Sequence, residues 1–174
     1  MITFDLRGVP AFRLHSPRWA TTPTSGAGAG KHGGRANRIG VDALYLALEL
    51  DTAVAEYQQV SPLLPPGTIV SYNITAVPVV DFRGGFNDSW DPLWRDFFCE
   101  WRTLWFGQGI EPPSWVLGDM VIASGAKGLL FSSFIKPGGC NLVLYDDQLD
   151  TGDVVEVYDP HGDLPKNQDS WPTR

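Results

Sequence analysis

Basic charge and long apolar runs are both scarce in this sequence. Thirteen lysines and arginines stand against 20 aspartates and glutamates, which gives a net charge of −7. Nucleic-acid grooves need a basic field, so this balance argues against direct nucleic-acid binding. No apolar stretch approaches the roughly 20 residues that span a bilayer, and no signal-peptide pattern opens the sequence. We therefore expect a cytoplasmic protein with no membrane partner.

Cysteine and histidine are scarce as well. Cys99 and Cys140 lie far apart and have no paired-motif spacing, which predicts two reduced, partly buried thiols. His15, His32 and His161 show no ligand spacing with each other or with the cysteines. Because metal ligands usually recur at short, regular spacings, we expect no metal site.

Two familiar nucleotide-binding motifs fail in their details. Residues 28–33 match G-x-G-x-x-G, but no apolar strand precedes them and no helix opens after them. The Walker A pattern fails too, because His32 follows Gly30-Lys31 where Ser or Thr should hold magnesium. The segment is instead interpreted as a flexible glycine loop within residues 20–34.

What the sequence does contain suits one α+β domain. Its 174 residues are 43% hydrophobic and 19% charged, which is ordinary for a globular protein of one domain. We predict a single domain over 1–174, with a core at about 11–160 and a loosely held polar tail at 161–174. Short strands mixed with about three helices, without βαβ alternation, favour a mixed sheet flanked by helices.

Hydrophobic periodicity predicts the individual elements. The expected strands cover 11–19 (ending at Pro17), 43–47, 68–74, 77–82, 128–133, 141–146 and 154–160. The expected helices run from Asp51 or Thr52 to about Val60, over 90–106, and over 115–124. Tryptophans at helical spacing form an apolar stripe along 90–106. We expect this stripe to be core, with a protein interface as the alternative for part of it.

Three side chains in residues 33–58 stand out chemically. Arg35 follows two glycines, where a ligand can approach the backbone closely, and its guanidinium suits phosphate or carboxylate. Glu56 falls on the inward stripe of its helix, where a carboxylate is costly unless paired or functional. Tyr45 lies in an apolar strand and is either core or pocket wall. The alternatives are a salt bridge to one of the many acidic residues for Arg35 and a solvent-reaching position for Glu56.

Together with a second block near GLLFSSFIKPGGCNLVLY, these residues resemble the RES domain, the toxin family of bacterial RES-Xre toxin–antitoxin pairs. The resemblance covers about residues 12–145. It places the family's arginine, glutamate and serine on Arg35, Glu56 and Ser133, with Tyr45 between the first two. The family usually has tryptophan at the position of Ala36, which implies a changed pocket wall or compensation by another tryptophan. It also usually has proline at the position of Ser132, which leaves Ser132 and Ser133 as alternatives for the functional serine.

The resemblance implies an ADP-ribosyltransferase-like fold that acts on NAD as substrate. Arg35, with Arg13, would grip the pyrophosphate or a ribose hydroxyl, and Tyr45 would stack against nicotinamide. Glu56 would stabilise the cationic sugar as nicotinamide leaves. Ser133 would hold the ribose or phosphate in the reactive pose.

The resemblance further implies a toxin of a type II toxin–antitoxin system that cleaves the nicotinamide–ribose bond of NAD by hydrolysis or phosphorolysis. One alternative is an ADP-ribosyltransferase that modifies a host protein. Another is an inactive RES-like binding module, which Ala36 alone favours. The expected partner is a cognate Xre-type antitoxin with a basic contact surface.

Overall fold

The computed structural model describes residues 1–171, and six strands in that range form one mixed sheet. The strands are β1 (Thr3–His15), β2 (Ala43–Ala47), β3 (Thr68–Phe82), β4 (Gly128–Ser132), β5 (Cys140–Tyr145) and β6 (Val154–Val157). The α-helices are α1 (Ala27–His32), α2 (Leu50–Gln58) and α3 (Pro113–Ala123). The α+β prediction is confirmed. The last three positions of the expected polar tail, 172–174, lie outside the described residues.

The strand order is β1-β2-β5-β4-β3-β6, and β3 pairs with β4 in parallel while the other pairs are antiparallel. Strand β1 also pairs with β3, so β1 to β5 close into a ring. The contact between β1 and β2 is short, with Phe12 opposite Ala47 as their registered pair. The ring is therefore weakest between β1 and β2, and the two strands separate on either side of that pair.

Side-chain alternation along the strands fills both faces of the sheet. Leu130, Leu142 and Leu144 pack inside the ring with apolar side chains from β1, β2 and β3. Phe131 and Val143 point to the other face, where α3 and the tryptophan-rich segment 90–106 cover them. Since β4 and β5 are buried on both faces, their sequences are continuous apolar runs rather than alternating ones.

Strands β1 and β3 are longer than predicted. β1 begins at Thr3 instead of residue 11, and residues 68–82 form one strand instead of two. Pro78 does not end β3, because its carbonyl still accepts a hydrogen bond from the Lys127 amide at 2.8 Å. Helix α1 occupies part of the predicted glycine loop, and α2 begins at Leu50, one or two residues earlier than expected.

The helix predicted over 90–106 is wrong. That segment instead contains a 3-10 turn at Pro92–Asp96 and a π-helical turn at Thr103–Gly107, with an irregular stretch between them. The core assignment is nevertheless confirmed, because Trp90, Trp94 and Trp101 are buried. The spacing of the tryptophans thus predicted correctly which side chains are buried, but not the backbone conformation of the segment.

Residues 1–171 contain neither a membrane-spanning helix nor a cluster of metal ligands. No helix there is long and apolar enough to cross a membrane. No three His, Cys, Asp or Glu side chains of the same range converge as metal ligands. Cys99 and Cys140 are free thiols, and burial raises the pKa of Cys140 to about 12.

Candidate active site

A cavity of about 380 Å³ opens where β1 and β2 separate. It is lined by Arg13 from β1, Tyr45 from β2, Glu56 from α2 and Arg35 from the loop after α1. Ser133 is not part of the lining but donates a hydrogen bond to Glu56 at 2.7 Å. The fold thus brings together all five residues singled out in the sequence, which are spread over some 120 positions.

The charge of the cavity is opposite to that of the protein. The charged residues in its lining are Arg13, Arg35, Arg102 and Glu56, so cations outnumber anions three to one in a chain of net charge −7. Arg102 was not recognised in the sequence, and its guanidinium lies 4.6 Å from the centre of the Trp101 ring. Such a local excess of positive charge suits a small anionic ligand.

Arg13 carries an unsatisfied donor at the cavity wall. Its Nη1 atom is buried and has no hydrogen-bond partner among residues 1–171. Burial lowers the pKa of Arg13, since the charged form loses hydration. An unpaired buried donor costs free energy, and a bound anion would supply the missing acceptor.

Arg35 is held by backbone carbonyls rather than by a salt bridge. Its Nη1 donates to the carbonyl of Phe97 at 3.2 Å and to that of Cys99 at 3.0 Å. Its guanidinium also lies 5.6 Å from the centre of the Phe98 ring. A regular helix over 90–106 would turn both carbonyls toward its own amides, so the irregular stretch is what lets them bind Arg35. Burial lowers the pKa of Arg35.

The loop that carries Arg35 is fastened to Tyr45. The Tyr45 hydroxyl donates to Asn37 Oδ1 at 2.8 Å and accepts from the Ala36 amide at 2.9 Å. Burial raises the pKa of Tyr45, which keeps this hydroxyl a donor. A Cβ at Gly34 would overlap that hydroxyl, so this glycine serves the close contact with Tyr45. Asn37 was given no role from the sequence, although it lies only two residues after Arg35.

Ala36, the departure from the family pattern, does not loosen this loop. Its side chain is fully buried in the same core cluster as Trp90 and Trp94. Its carbonyl accepts a hydrogen bond from the Tyr145 hydroxyl at 2.8 Å, and a Cβ at Gly118 would collide with that carbonyl. The small side chain at position 36 therefore coincides with a close approach of α3 to the loop backbone.

Glu56 is half-buried and tied to the sheet. Its Oε1 accepts hydrogen bonds from Ser133 Oγ at 2.7 Å and from Asn141 Nδ2 at 2.6 Å. Its Oε2 accepts a longer bond, 3.3 Å, from Gln59 Nε2. Glu56 therefore keeps partial exposure while one of its carboxylate oxygens is bound to the sheet. Asn141 was missed in the sequence, where the available signal was a polar residue at the start of a fully buried strand.

The two candidate serines lie on different sides of the chain. Ser133 Oγ donates to Glu56 and accepts from the Lys136 amide at 2.9 Å. Ser132 Oγ donates instead to the carbonyl of Arg83 at 2.8 Å. Ser133 is thus the serine next to the glutamate, and its one hydroxyl proton is already committed to Glu56. Direct contact of Ser133 with a ligand stays a prediction.

A known protein family matches most of this chain. The sequence matches the family described as RES domain over residues 10–167. The chain belongs to the RES domain family. The resemblance inferred from the sequence is confirmed, and the match extends past residues 12–145 at both ends. No curated protein matches this RES chain significantly.

A solved structure supports the fold of this RES domain. It is described as the crystal structure of the M. tuberculosis MbcT-MbcA toxin-antitoxin complex, and the match has a TM-score of 0.62 at 18% identity. The match covers 91% of this RES chain and 84% of the other. At this identity the likeness concerns the fold, which is the same α+β architecture.

Proposed function

We propose that this RES protein is the toxin of a toxin–antitoxin pair and that it cleaves the nicotinamide–ribose bond of NAD. The observation that carries the proposal is the cavity between β1 and β2, where the half-buried Arg13 and Arg35 and one carboxylate face the same space. Arg13 has a buried donor with no acceptor among the described residues. The pyrophosphate of NAD offers anionic oxygens of the kind that guanidinium groups bind best.

In this proposal each group of the cavity has one role. Arg13 and Arg35 hold the pyrophosphate, and the Tyr45 ring packs against the nicotinamide. As the bond from C1′ of the ribose to the nicotinamide nitrogen breaks, its electron pair leaves with nicotinamide and the sugar becomes cationic. The Glu56 carboxylate stabilises that positive charge. Water or inorganic phosphate then forms a bond to that same carbon, which is numbered 1″ in the products. Water releases a proton to solvent and gives ADP-ribose, and hydrogen phosphate gives ADP-ribose-1″-phosphate.

An enzyme is favoured over an inactive binding module. The module hypothesis depended on Ala36, and the loop around Ala36 is fully hydrogen-bonded to Tyr45 and Tyr145. Arg35 and Glu56 both line the cavity.

The proposed partner is an Xre-type antitoxin that covers the cavity. Membership of the RES family supports this proposal, and the M. tuberculosis MbcT structure is itself that of a toxin–antitoxin complex. The net charge of −7 favours a basic contact surface on the partner around the cavity, while the cavity itself has a mainly basic charged lining. Co-expression followed by size-exclusion chromatography should give a complex, and separate elution of the two proteins would contradict the proposal.

The decisive experiment is incubation with NAD, with and without inorganic phosphate, and identification of the products by mass spectrometry. ADP-ribose would indicate hydrolysis, and ADP-ribose-1″-phosphate would indicate phosphorolysis. An ADP-ribosylated protein after addition of a cell lysate would indicate the transferase instead. Intact NAD under all three conditions would overturn the enzymatic proposal.

A further inference from the structure

The two oxygens of the Glu56 carboxylate have unequal surroundings. Oε1 accepts two short hydrogen bonds, from Ser133 and from Asn141, at 2.7 and 2.6 Å. Oε2 has one long bond, at 3.3 Å, from Gln59. A carboxylate oxygen can accept two hydrogen bonds, so Oε1 is saturated by the protein while Oε2 retains acceptor capacity.

Asn141 is placed to fix this carboxylate rigidly. It lies near the start of β5, with its backbone paired to Ala47 of β2 on one side and to Phe131 of β4 on the other. The residue is only 8% exposed, and its side chain lines the cavity beside Glu56. A buried amide on a central strand has little freedom, so its bond imposes one orientation on the carboxylate.

Gln59, the donor to the other oxygen, makes only a long bond to that oxygen. It is exposed, and it ends α2 with a φ of +55°, a conformation that non-glycine residues rarely adopt. Strained residues of this kind concentrate at functional sites. Its Nε2 also donates to the backbone carbonyl of Glu56, so a ligand hydroxyl can replace the long bond to Oε2 while Gln59 keeps its other acceptor.

From this asymmetry we propose that Asn141 is a positioning residue for the cleavage of NAD. Together with Ser133 it holds Oε1, and so it directs Oε2 at the ribose, where a ribose hydroxyl replaces Gln59. The inference rests on the proposed function, because it names the group that orients the carboxylate used in that reaction. Asn141 acts through Glu56 and need not touch the reacting atoms.

The test compares two variants with nearly the same shape as asparagine. Asn141→Leu removes the donor, and Asn141→Asp replaces it with a second carboxylate beside Glu56. A misplaced catalytic group costs up to about 100-fold in rate, so we expect kcat to fall by that order while KM changes little. Asn73→Asp, an exposed asparagine on β3 outside the cavity lining, is the matched control and should keep wild-type kinetics.

A double-mutant cycle separates positioning from a merely structural role. In a Glu56→Gln background the carboxylate is gone, so Asn141→Leu should cost far less than it costs in the wild type. Equal losses in both backgrounds would overturn the inference, as would wild-type kcat in both Asn141 variants. If Asn141→Leu fails to fold, Asn141→Ala, which also removes the donor and adds no charge, supplies the same comparison. If the wild-type protein leaves NAD intact, the proposed function itself is refuted. If the wild type is active and Asn141→Leu causes equal losses in both backgrounds, only the role of Asn141 is refuted.

Discussion

Replacement of Arg13 by methionine should change stability and NAD binding in opposite directions. The variant removes the buried Nη1 donor that lacks a partner in residues 1–171, and methionine fills similar space with apolar atoms. An unpaired buried donor costs about 1–3 kcal/mol, so the free energy of unfolding should rise by that order. For a domain of this size the melting temperature should then increase by about 2–12 °C.

The same substitution should weaken NAD binding. A hydrogen bond to a charged group contributes about 1.5–3 kcal/mol, which corresponds to roughly 10- to 150-fold in the dissociation constant. Binding is best measured by isothermal titration calorimetry in a Glu56→Gln background, where NAD is consumed too slowly to disturb the titration. A residue that destabilises the empty protein and strengthens ligand binding is the expected signature of a binding site.

Arg7→Met provides the matched control, because Arg7 lies on the same strand but forms an exposed ion pair with Asp5 at 3.0 Å. Exposed pairs contribute little, so this variant should leave both the melting temperature and NAD binding near wild type. A lower melting temperature for Arg13→Met together with unchanged NAD affinity would refute the reasoning, since Arg13 would then be a structural residue.

Two further predictions concern the hydrogen bonds around the cavity. Tyr45→Phe leaves the Ala36 amide and Asn37 Oδ1 without their hydrogen-bond partner. The free energy of unfolding, measured in urea, should therefore fall by about 1–3 kcal/mol, and NAD turnover should be reduced. Unchanged stability would contradict this prediction. His15 forms a hydrogen bond with the Tyr72 hydroxyl. Burial lowers the pKa of His15 to about 4, whereas the pKa in the unfolded chain is about 6.5. As the pH falls below 6.5, the His15 ring binds a proton in the unfolded chain before it does so in the folded protein. Up to about 3 kcal/mol of stability, which is fully present above pH 6.5, should therefore be lost between pH 6.5 and 4. His15→Gln should flatten that part of the stability profile measured by urea unfolding, and an equally steep profile would argue against the assignment.

The elements that sequence reasoning placed well are those whose burial is uniform. Strands β2, β4 and β5 are continuous apolar runs because both of their faces are covered. The first half of β1 was missed because its register shifts between Phe4 and Val9 break the two-residue period. In that half, exposed and buried positions do not alternate regularly.

The helix predicted over 90–106 failed for a tertiary reason. The apolar spacing reported burial correctly, but the carbonyls of Phe97 and Cys99 bind Arg35, a residue more than 60 positions earlier. Hydrogen bonds of this kind compete with helix formation and leave no local trace in the sequence. Here the interruption of the helix orients a charged residue at the cavity. Such conflicts between local sequence pattern and structure are expected near a functional site.

Site residues were recognisable where their chemistry is conspicuous. Arg35 and Glu56 stood out as a cation after glycines and a carboxylate on an apolar helix stripe. Asn141 and Arg102 did not, since their importance arises from proximity: Asn141 reaches Glu56 across 85 positions of chain. A neutral amide at a strand end has no distinctive pattern until the fold places it against a carboxylate.

Nicotinamide release from NAD by the wild type, Glu56→Gln and Glu156→Gln tests the central claim most directly. Glutamine at position 56 keeps an acceptor for Ser133 and Asn141, so the variant removes charge with little change of shape. Loss of a group that stabilises the transition state costs about 100- to 1,000-fold in rate, and we expect a fall of that size. Glu156, exposed on β6, provides the control and should leave the rate unchanged. Full nicotinamide release by Glu56→Gln, or none by the wild type, would contradict the account.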